Sequence, residues 1–266
     1  MSQRRHPTAI IDPGAQLHET VAVGAYAVIG AGVEIGEGTR VGSHALLQGP
    51  MRVGRHNRIF GFVSLGEVSQ DKTARAEDPT AVEIGDGNTI REFVTIQRGT
   101  LKDAGVTRIG DDNWIMNYVH VAHDCQIGNH AILANNSTLA GHVVLEDYAV
   151  LGGATLVAQY CRLGAHCFTA GGAGVTRDVP PYIVVQGNPA VPRGINIQGL
   201  RRRGFSTEDL SQIKQIYRLL FVADRSAEQA RAQLAQMAAT SAPAKRVHEF
   251  VARARHLIQK TGADPV

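Results

Sequence analysis

Aromatic residues and cysteine are both scarce in this sequence. Phe, Trp and Tyr together make up 5% of its 266 residues, and there are only three cysteines. Cys125, Cys161 and Cys167 are odd in number and lack a CxxC spacing, which argues against a disulfide framework and against a zinc ribbon. No apolar run approaches the roughly 20 residues that a membrane-spanning helix needs, so we expect no membrane span. The basic N-terminal stretch has no apolar segment of the secretory type, so we expect a cytoplasmic protein.

Glycine, in contrast, is abundant, with 29 residues, and it accompanies a repeat. Aliphatic residues recur at every sixth position over 11–65, 84–96 and 109–163. A period of six fits neither an amphipathic helix nor a half-buried strand. It is typical of a solenoid in which three hexads close one triangular coil of 18 residues, with the aliphatic side chains inside and successive coils paired as parallel strands.

The repeat resembles the left-handed parallel β-helix of hexapeptide-repeat acyltransferases, and the expected handedness comes from that resemblance. We predict a mainly β fold, with this β-helix over residues 1–190 and a C-terminal α-helical domain over 191–266. The hexads slip out of phase twice, which predicts loops around 67–79 and around 99–107. Loops that project from a rigid scaffold commonly carry specificity.

The C-terminal part is helical in pattern and basic in charge. Ser206 and Ser226 each begin a capping-box pattern, and 244–260 predicts a third helix. Residues 191–266 carry 13 Arg and Lys against 6 Asp and Glu, a net charge of +7, which leaves −4 for the solenoid. Because no nucleic-acid-binding motif or aromatic platform accompanies these charges, we expect no nucleic-acid partner. An acidic protein or a phosphate-bearing ligand fits the charge better.

One set of polar residues repeats at the length of a coil. His123, Gly141 and Gln159 are 18 residues apart, as are Asp124 and His142, so each set is predicted to stack at one corner. A neutral imidazole can accept a proton from an alcohol, and a neighbouring carboxylate can orient it. A backbone N–H at a glycine corner can stabilise an oxyanion. These are the parts that acyl transfer requires.

Three other functions are open at this point. His120, His123 and His142 are three imidazoles that could bind a metal, as in the gamma-class carbonic anhydrases. A small-molecule acetyltransferase using acetyl-CoA would need no long acyl groove. A non-catalytic scaffold that binds sugar nucleotides would need no catalytic His123.

Several motifs are specific enough to indicate a family. They are IGEGT (35–39), GEVSQD (66–71), IREFVTIQRGT (90–100), HVAHDCQIGNH (120–130), NNSTLAGHV (135–143), QGNPA (186–190) and INIQGLRRRGF (195–205). Through these segments the chain resembles, over nearly its whole length, the acyl-[acyl-carrier-protein]–UDP-N-acetylglucosamine O-acyltransferases of lipid A synthesis.

The resemblance implies a homotrimer with active sites between subunits. The donor would be a (3R)-3-hydroxyacyl group on acyl carrier protein, and the acceptor would be the glucosamine 3-hydroxyl of UDP-GlcNAc. By position, His123 would be the catalytic base, Asp124 the residue that orients it, and Gly141 the oxyanion amide. Gly171 would set acyl length, and its lack of a side chain predicts about twelve to fourteen carbons. No metal or cofactor is expected. The expected substrate-binding residues are Gln70, Asp71, Lys72, His120, His142, Gln159, Asn196, Gln198, Arg202 and Arg203.

The sequence also departs from the family pattern. Gln97 and Ala158 stand where the family has histidine, and Gln198 stands where it has glutamate. The lysine usual three residues after Gln70 is replaced by Thr73, with Lys72 one step earlier. The predicted base, its aspartate and the oxyanion glycine are all retained. We therefore expect acyl transfer to persist, with a 3-amino analogue of the sugar nucleotide as an alternative acceptor.

Overall fold

The computed structural model describes residues 4–259 as a triangular prism of parallel strands followed by four helices. Each coil contributes one short strand to each of three sheets, and the three sheets form the three sides of the prism. The parallel β-helix predicted from the hexads is confirmed. Within residues 4–259, none of the helices has the length and apolar content needed to cross a bilayer.

Sheet A has ten strands. They are β3 (Ala22–Val23), β6 (Arg40–Val41), β9 (Arg58–Ile59), β12 (Thr89–Ile90), β15 (Trp114–Ile115), β18 (Ile132–Leu133), β21 (Val150–Leu151), β24 (Phe168–Thr169), β26 (Ile183–Gln186) and the antiparallel β27 (Val191–Ile195).

Sheet B has nine strands. They are β1 (Ile10–Ile11), β4 (Val28–Ile29), β7 (Leu46–Leu47), β10 (Ser64–Glu67), β13 (Thr95–Gln97), β16 (His120–Val121), β19 (Thr138–Leu139), β22 (Leu156–Val157) and β25 (Gly174–Val175).

Sheet C has eight strands. They are β2 (Gln16–Leu17), β5 (Val33–Ile35), β8 (Met51–Val53), β11 (Ala81–Ile84), β14 (Val106–Ile109), β17 (Gln126–Ile127), β20 (Val144–Leu145) and β23 (Arg162–Leu163).

The three edges of the prism are named here by the sheets they join. The chain runs from sheet A through corner AB to sheet B, through corner BC to sheet C, and through corner CA back to sheet A. Both interruptions of the repeat leave the prism at corner BC. They are loop L1 (68–80), between β10 and β11, and loop L2 (98–105), between β13 and β14. Strand register is kept across both loops, because Val82 pairs with Met51 and with Thr107.

The hexad side chains fill the interior of the prism, and those of Leu65, Ile96 and Leu139 are fully buried. The sequence pattern predicts that the glycines that follow them permit the tight corners, but the structure gives them another role. A Cβ on Gly24 would fall 2.6 Å from the Ser43 nitrogen of the next coil, so glycine is needed there for close approach of the backbones. The left-handed corner residues themselves are mostly not glycine; Tyr26 has a φ of 58°.

Four helices follow the solenoid: α1 (Ile197–Arg202), α2 (Thr207–Phe221), α3 (Ala227–Ala238) and α4 (Ala242–Arg253). The capping boxes predicted at Ser206 and Ser226 are both present. The sequence analysis missed α1, which is only six residues long and is capped by the Asn196 side chain. The third predicted helix, 244–260, is α4, and it ends at Arg253. Residues 254–259 turn back and pair with the last coil through Asp178 and Leu257.

Candidate active site

His123 and Gly141 face each other across one coil at corner BC. His123 Nδ1 lies 2.9 Å from Asp124 Oδ2. Because an ionised carboxylate can only accept, Nδ1 carries the ring proton and Nε2 keeps its lone pair. A Cβ built on Gly141 would lie 2.6 Å from His123 Nε2, so the basic nitrogen lies directly against the Gly141 backbone. The Gly141 N–H donates to no acceptor among residues 4–259, which leaves it available to a ligand.

The Asp124 carboxylate is buried and held on several sides. The backbone N–H of Thr100 donates to Asp124 Oδ1 at 3.0 Å, and the Thr100 hydroxyl donates to Oδ2 at 2.7 Å. The Asp124 N–H donates to Thr107 Oγ1 at 2.8 Å. These contacts fix the carboxylate that orients His123. The sequence analysis missed Thr100 as a functional residue, although it ends the motif QRGT.

His142 lies edge-on to His123, with ring centroids 5.0 Å apart. Its other neighbours come from different parts of the chain. Nδ1 hydrogen-bonds Asp103 Oδ2 of loop L2 at 2.9 Å, and the ring stacks on Tyr160 at 4.5 Å. Nε2 is buried without a hydrogen-bond partner in residues 4–259 and lies 3.9 Å from Asp124 Oδ2. Nothing in the repeat pattern predicts the contact with Asp103.

His120 projects from β16 on the outer side of sheet B, three residues before His123. Its Nδ1 and Thr95 Oγ1 share a hydrogen bond of 2.7 Å. Burial lowers the pKa of His120, so the neutral ring is favoured. Gln159 is exposed at corner BC, one coil beyond Gly141, as the 18-residue offset predicted.

Loop L1 places Gln70, Asp71 and Lys72 at the same corner. Gln70 and Lys72 are exposed, whereas Asp71 is half-buried and forms an ion pair of 2.6 Å with Lys102 of loop L2. Hydrogen bonds from Lys102 and Thr73 lower the pKa of Asp71 well below its usual range. The carboxylate therefore stays charged at neutral pH.

Two further contacts join L1 to strand β13 and to L2. Gln97 Oε1 accepts a hydrogen bond of 3.1 Å from the Gln70 N–H, and Arg98 donates to the Ala76 carbonyl at 2.6 Å. Gln97, one of the departures from the family pattern, therefore helps to hold loop L1 in place.

The predicted residues on and around α1 lie elsewhere in the same chain. Asn196 Nδ2 donates to the His166 carbonyl at 3.0 Å, and the Arg203 guanidinium lies 5.0 Å from the centroid of the Tyr148 ring. The rings of Tyr148 and His166 stack on each other at corner CA, with centroids 4.8 Å apart. Gln198 and Arg202 are exposed on the same short helix. Within one chain, the width of sheet C separates these residues from His123. One subunit therefore does not bring the following four predicted residues to His123 and Gly141: Asn196, Gln198, Arg202 and Arg203.

Gly171 lies at corner AB, at the opposite edge of sheet B from Gly141 and two strands further along. It is exposed, and a Cβ there would meet only the Gly153 carbonyl oxygen, at 3.4 Å. The space in front of Gly171 is therefore open.

The structure does not group the three imidazoles of the metal-binding alternative. The residues that approach one another are His123, Asp124 and His142, whose potential ligand atoms lie within 4.8 Å of one another. Asp124 already accepts hydrogen bonds from His123 and Thr100, and His142 is bonded to Asp103. All three side chains are thus already engaged in hydrogen bonds.

Comparison with known proteins agrees with the fold and identifies the family. The family model described as UDP N-acetylglucosamine O-acyltransferase, domain 2, matches residues 178–258, and the bacterial transferase hexapeptide model matches 14–49 and 107–141. A Neisseria meningitidis serogroup B protein named acyl-[acyl-carrier-protein]–UDP-N-acetylglucosamine O-acyltransferase is 55% identical over 96% of this chain and 98% of its own. The chain belongs to this acyltransferase family.

Other members of the family are similar to this chain in sequence or in structure. The Thiobacillus denitrificans member is 51% identical over 94% of this chain and 96% of its own length. The solved UDP-N-acetylglucosamine acyltransferase of Francisella novicida superposes with a TM-score of 0.95 at 38% identity, covering 97% of this chain and 95% of that one. LpxA from Acinetobacter baumannii gives a TM-score of 0.92 at 37% identity, covering 96% of this chain and all of the other. The resemblance, the left-handed β-helix and the acyltransferase activity expected from the sequence are thereby confirmed.

Proposed function

We propose that this chain transfers a (3R)-3-hydroxyacyl group from acyl carrier protein to the glucosamine 3-hydroxyl of UDP-GlcNAc, the first step of lipid A synthesis. One observation carries the proposal. The Nε2 lone pair of His123, set by the hydrogen bond from Nδ1 to Asp124, lies against the backbone of Gly141, whose N–H has no acceptor among residues 4–259. A base and an oxyanion donor therefore meet at one point, as acyl transfer to an alcohol requires.

In the proposed reaction, His123 Nε2 takes the proton of the sugar hydroxyl as its oxygen attacks the thioester carbonyl. The Gly141 N–H donates to the oxyanion of the tetrahedral intermediate, a contact worth roughly 3 kcal/mol at such sites. Collapse of the intermediate breaks the carbon–sulfur bond, and the imidazolium returns its proton to the leaving thiolate. Asp124 stabilises the imidazolium without taking its proton.

The outer surface of the prism supports a homotrimer. Sheet C presents mainly charged side chains, such as Arg52, Glu83 and Arg108. Sheet A instead presents an apolar row in register along the prism. Its members are Trp114, Ile132, Val150, Phe168 and Val184.

Corner AB continues this apolar surface. It carries a ladder of stacked rings whose neighbouring centroids are 4.9 to 5.4 Å apart. The ladder consists of Tyr26, His44, Phe62, Phe93 and Tyr118. If corner AB faces a three-fold axis, sheet A of one subunit packs on sheet B of the next.

The same packing would complete the active site. Sheet A ends at corner CA and sheet B ends at corner BC, so corner CA of one subunit would lie beside corner BC of its neighbour. Asn196 and Arg203 would then approach the neighbour's His123. We propose that these residues, with Gln198 and Arg202, contact the nucleotide or the phosphate of the donor arm. At the base's own corner, the proposed contacts come from Gln70, Asp71, Lys72, His120, His142 and Gln159.

The helical part is proposed to recruit the acidic carrier protein. Among the described residues, a cavity of about 590 Å³ between the last coil and the helices is lined by Arg177, Arg231 and Arg255 and by no carboxylate. An electrostatic contact of this kind should weaken as salt is added. Binding of the carrier that does not depend on ionic strength would contradict this role. The cytoplasmic location expected from the sequence stays a prediction.

The decisive assay uses purified protein, hydroxyacyl carrier proteins of several lengths, and UDP-GlcNAc beside its 3-amino analogue. We expect acylation of the 3-hydroxyl, loss of at least about a hundredfold in kcat for His123→Ala, and full activity for His18→Ala. His18 is a control, because its Nδ1 also makes one side-chain hydrogen bond, in this case with the Thr20 hydroxyl, in an early coil far from His123. Preference for the 3-amino acceptor, or unchanged activity of His123→Ala, would refute the proposal.

A further inference from the structure

Loop L2 contacts the proposed site through three of its residues. Thr100 donates to the Asp124 carboxylate, Lys102 pairs with Asp71 of loop L1, and Asp103 bonds His142. The last contact spans 39 residues of sequence. L2 is therefore more than a tolerated insertion, since it reaches three of the residues expected at the active site.

The His142 ring is held in two independent ways. Stacking on Tyr160 fixes the plane of the ring but permits a half-turn about the Cβ–Cγ bond, which would put Cε1 in the place of Nε2. The hydrogen bond from Nδ1 to Asp103 selects one of these two orientations. In the selected orientation Nε2 is on the side of Asp124, 3.9 Å from its Oδ2.

His142 Nε2 has the features of an atom that awaits a ligand. The side chain is 5% exposed, and Nε2 has no hydrogen-bond partner within residues 4–259. Buried polar nitrogens without a partner are rare in folded proteins, because desolvation is not compensated. The nearest charged group is Asp124 Oδ2 at 3.9 Å, beyond hydrogen-bond distance and already occupied by His123 and Thr100.

We infer that Asp103 is a positioning residue that acts through His142, by fixing the ring with Nε2 directed at a polar group of the bound substrate. The inference rests on the proposed function, because it places the substrate at corner BC. Hydrogen bonding by His142 also lowers the pKa of Asp103, so the carboxylate is charged at neutral pH and accepts strongly. Asp103 itself is half exposed and makes no contact with His123 in the structure.

A double-mutant cycle on the full chain tests this inference. We expect Asp103→Ala to lower kcat/KM for acyl transfer to UDP-GlcNAc about tenfold, and Asp103→Asn to lower it less, since an amide oxygen still accepts from Nδ1. In a His142→Ala background, Asp103→Ala should cost no more than about twofold. Asp12→Ala, which removes an exposed aspartate from the first coil, should leave kcat/KM unchanged.

Two results would overturn the inference. One is a tenfold loss on Asp103→Ala that persists when His142 is already alanine, because Asp103 would then act through the loop as a whole. The other is an unaltered kcat/KM in Asp103→Ala. Failure of the wider proposal is distinguishable, since it would appear as full activity in His123→Ala.

Discussion

His123 Nε2 lies 2.6 Å from the point that a Cβ of Gly141 would occupy, although the two residues are eighteen positions apart in the chain. Only glycine permits this contact. The Gly141 N–H beside this contact has no acceptor among residues 4–259. The pairing of base and oxyanion donor thus depends on the register of two neighbouring coils.

Gly141→Ala should therefore abolish most of the activity. The methyl group would push the imidazole out of place, and displacements of about 1 Å at a reacting group cost on the order of a hundredfold in rate. We expect kcat to fall by at least that factor while circular dichroism is unchanged. Gly14→Ala is the control, since the nearest atom to its Cβ is Oδ1 of the exposed Asp12 side chain, at 3.2 Å. Near-normal turnover in Gly141→Ala would contradict the assigned geometry.

Thr100→Val should lower kcat about tenfold with little change in KM. Valine has nearly the same shape but cannot donate to Asp124 Oδ2, and hydrogen bonds to charged groups contribute roughly 1.5 to 3 kcal/mol. Thr100→Ser keeps the hydroxyl and should retain most of the activity. Equal kinetics for the valine and serine variants would mean that the Thr100 hydroxyl does not support Asp124 and His123.

Gly171→Met should shift the preferred donor toward shorter acyl chains. The space in front of Gly171 is open, and a methionine side chain would fill it. Each methylene excluded from an apolar groove costs roughly 0.8 kcal/mol, so loss of even two carbons changes preference by more than tenfold. Competition between donors of about ten to fourteen carbons measures the shift. An unchanged order of donors would refute the role of Gly171.

His166 should make the folded protein less stable in mild acid. Burial, reinforced by Arg203 and Arg246, lowers the pKa of His166 from 6.5 to about 4. Between these values the unfolded chain binds a proton that the folded chain does not, so stability falls as pH drops from about 6.5 to about 4 and changes little below. Urea unfolding at pH 7 and pH 5 measures the loss. His166→Phe, which keeps a ring against Tyr148, should show a smaller loss; an identical pH dependence would exclude His166 as its source.

Cys125 should be dispensable for catalysis. Burial raises the pKa of its thiol to about 12, and the residue is fully buried. The reactive thiolate form is therefore negligible at neutral pH. We expect Cys125→Ala to keep kcat within about threefold and native Cys125 to resist iodoacetamide. Rapid alkylation of Cys125 with loss of activity would contradict this.

Most of the fold could be predicted from the sequence, because the hexads report directly on the interior of the coil. The same count placed Asp124 below His142 and both loops at their observed positions. The role expected for the glycines in the corners was wrong. A glycine such as Gly24 is required by the close approach of the next coil, which the local sequence does not reveal. Helix α1 was missed because six residues carry too little periodicity to stand out.

The site was less predictable than the fold. Offsets of eighteen connect residues at one corner, but Asp103 reaches His142 from a loop whose path the repeat does not determine. Thr100 was overlooked for the same reason. The place of Arg203 against Tyr148 depends on how the helices dock, and no period in the sequence encodes that docking.

Both insertions leave the prism at corner BC, while strand pairing continues undisturbed on either side of them. Chain length can thus be added or removed beside the reacting groups without a change in the aliphatic interior. In such a scaffold, the residues that secure folding and those that select substrates are free to evolve separately.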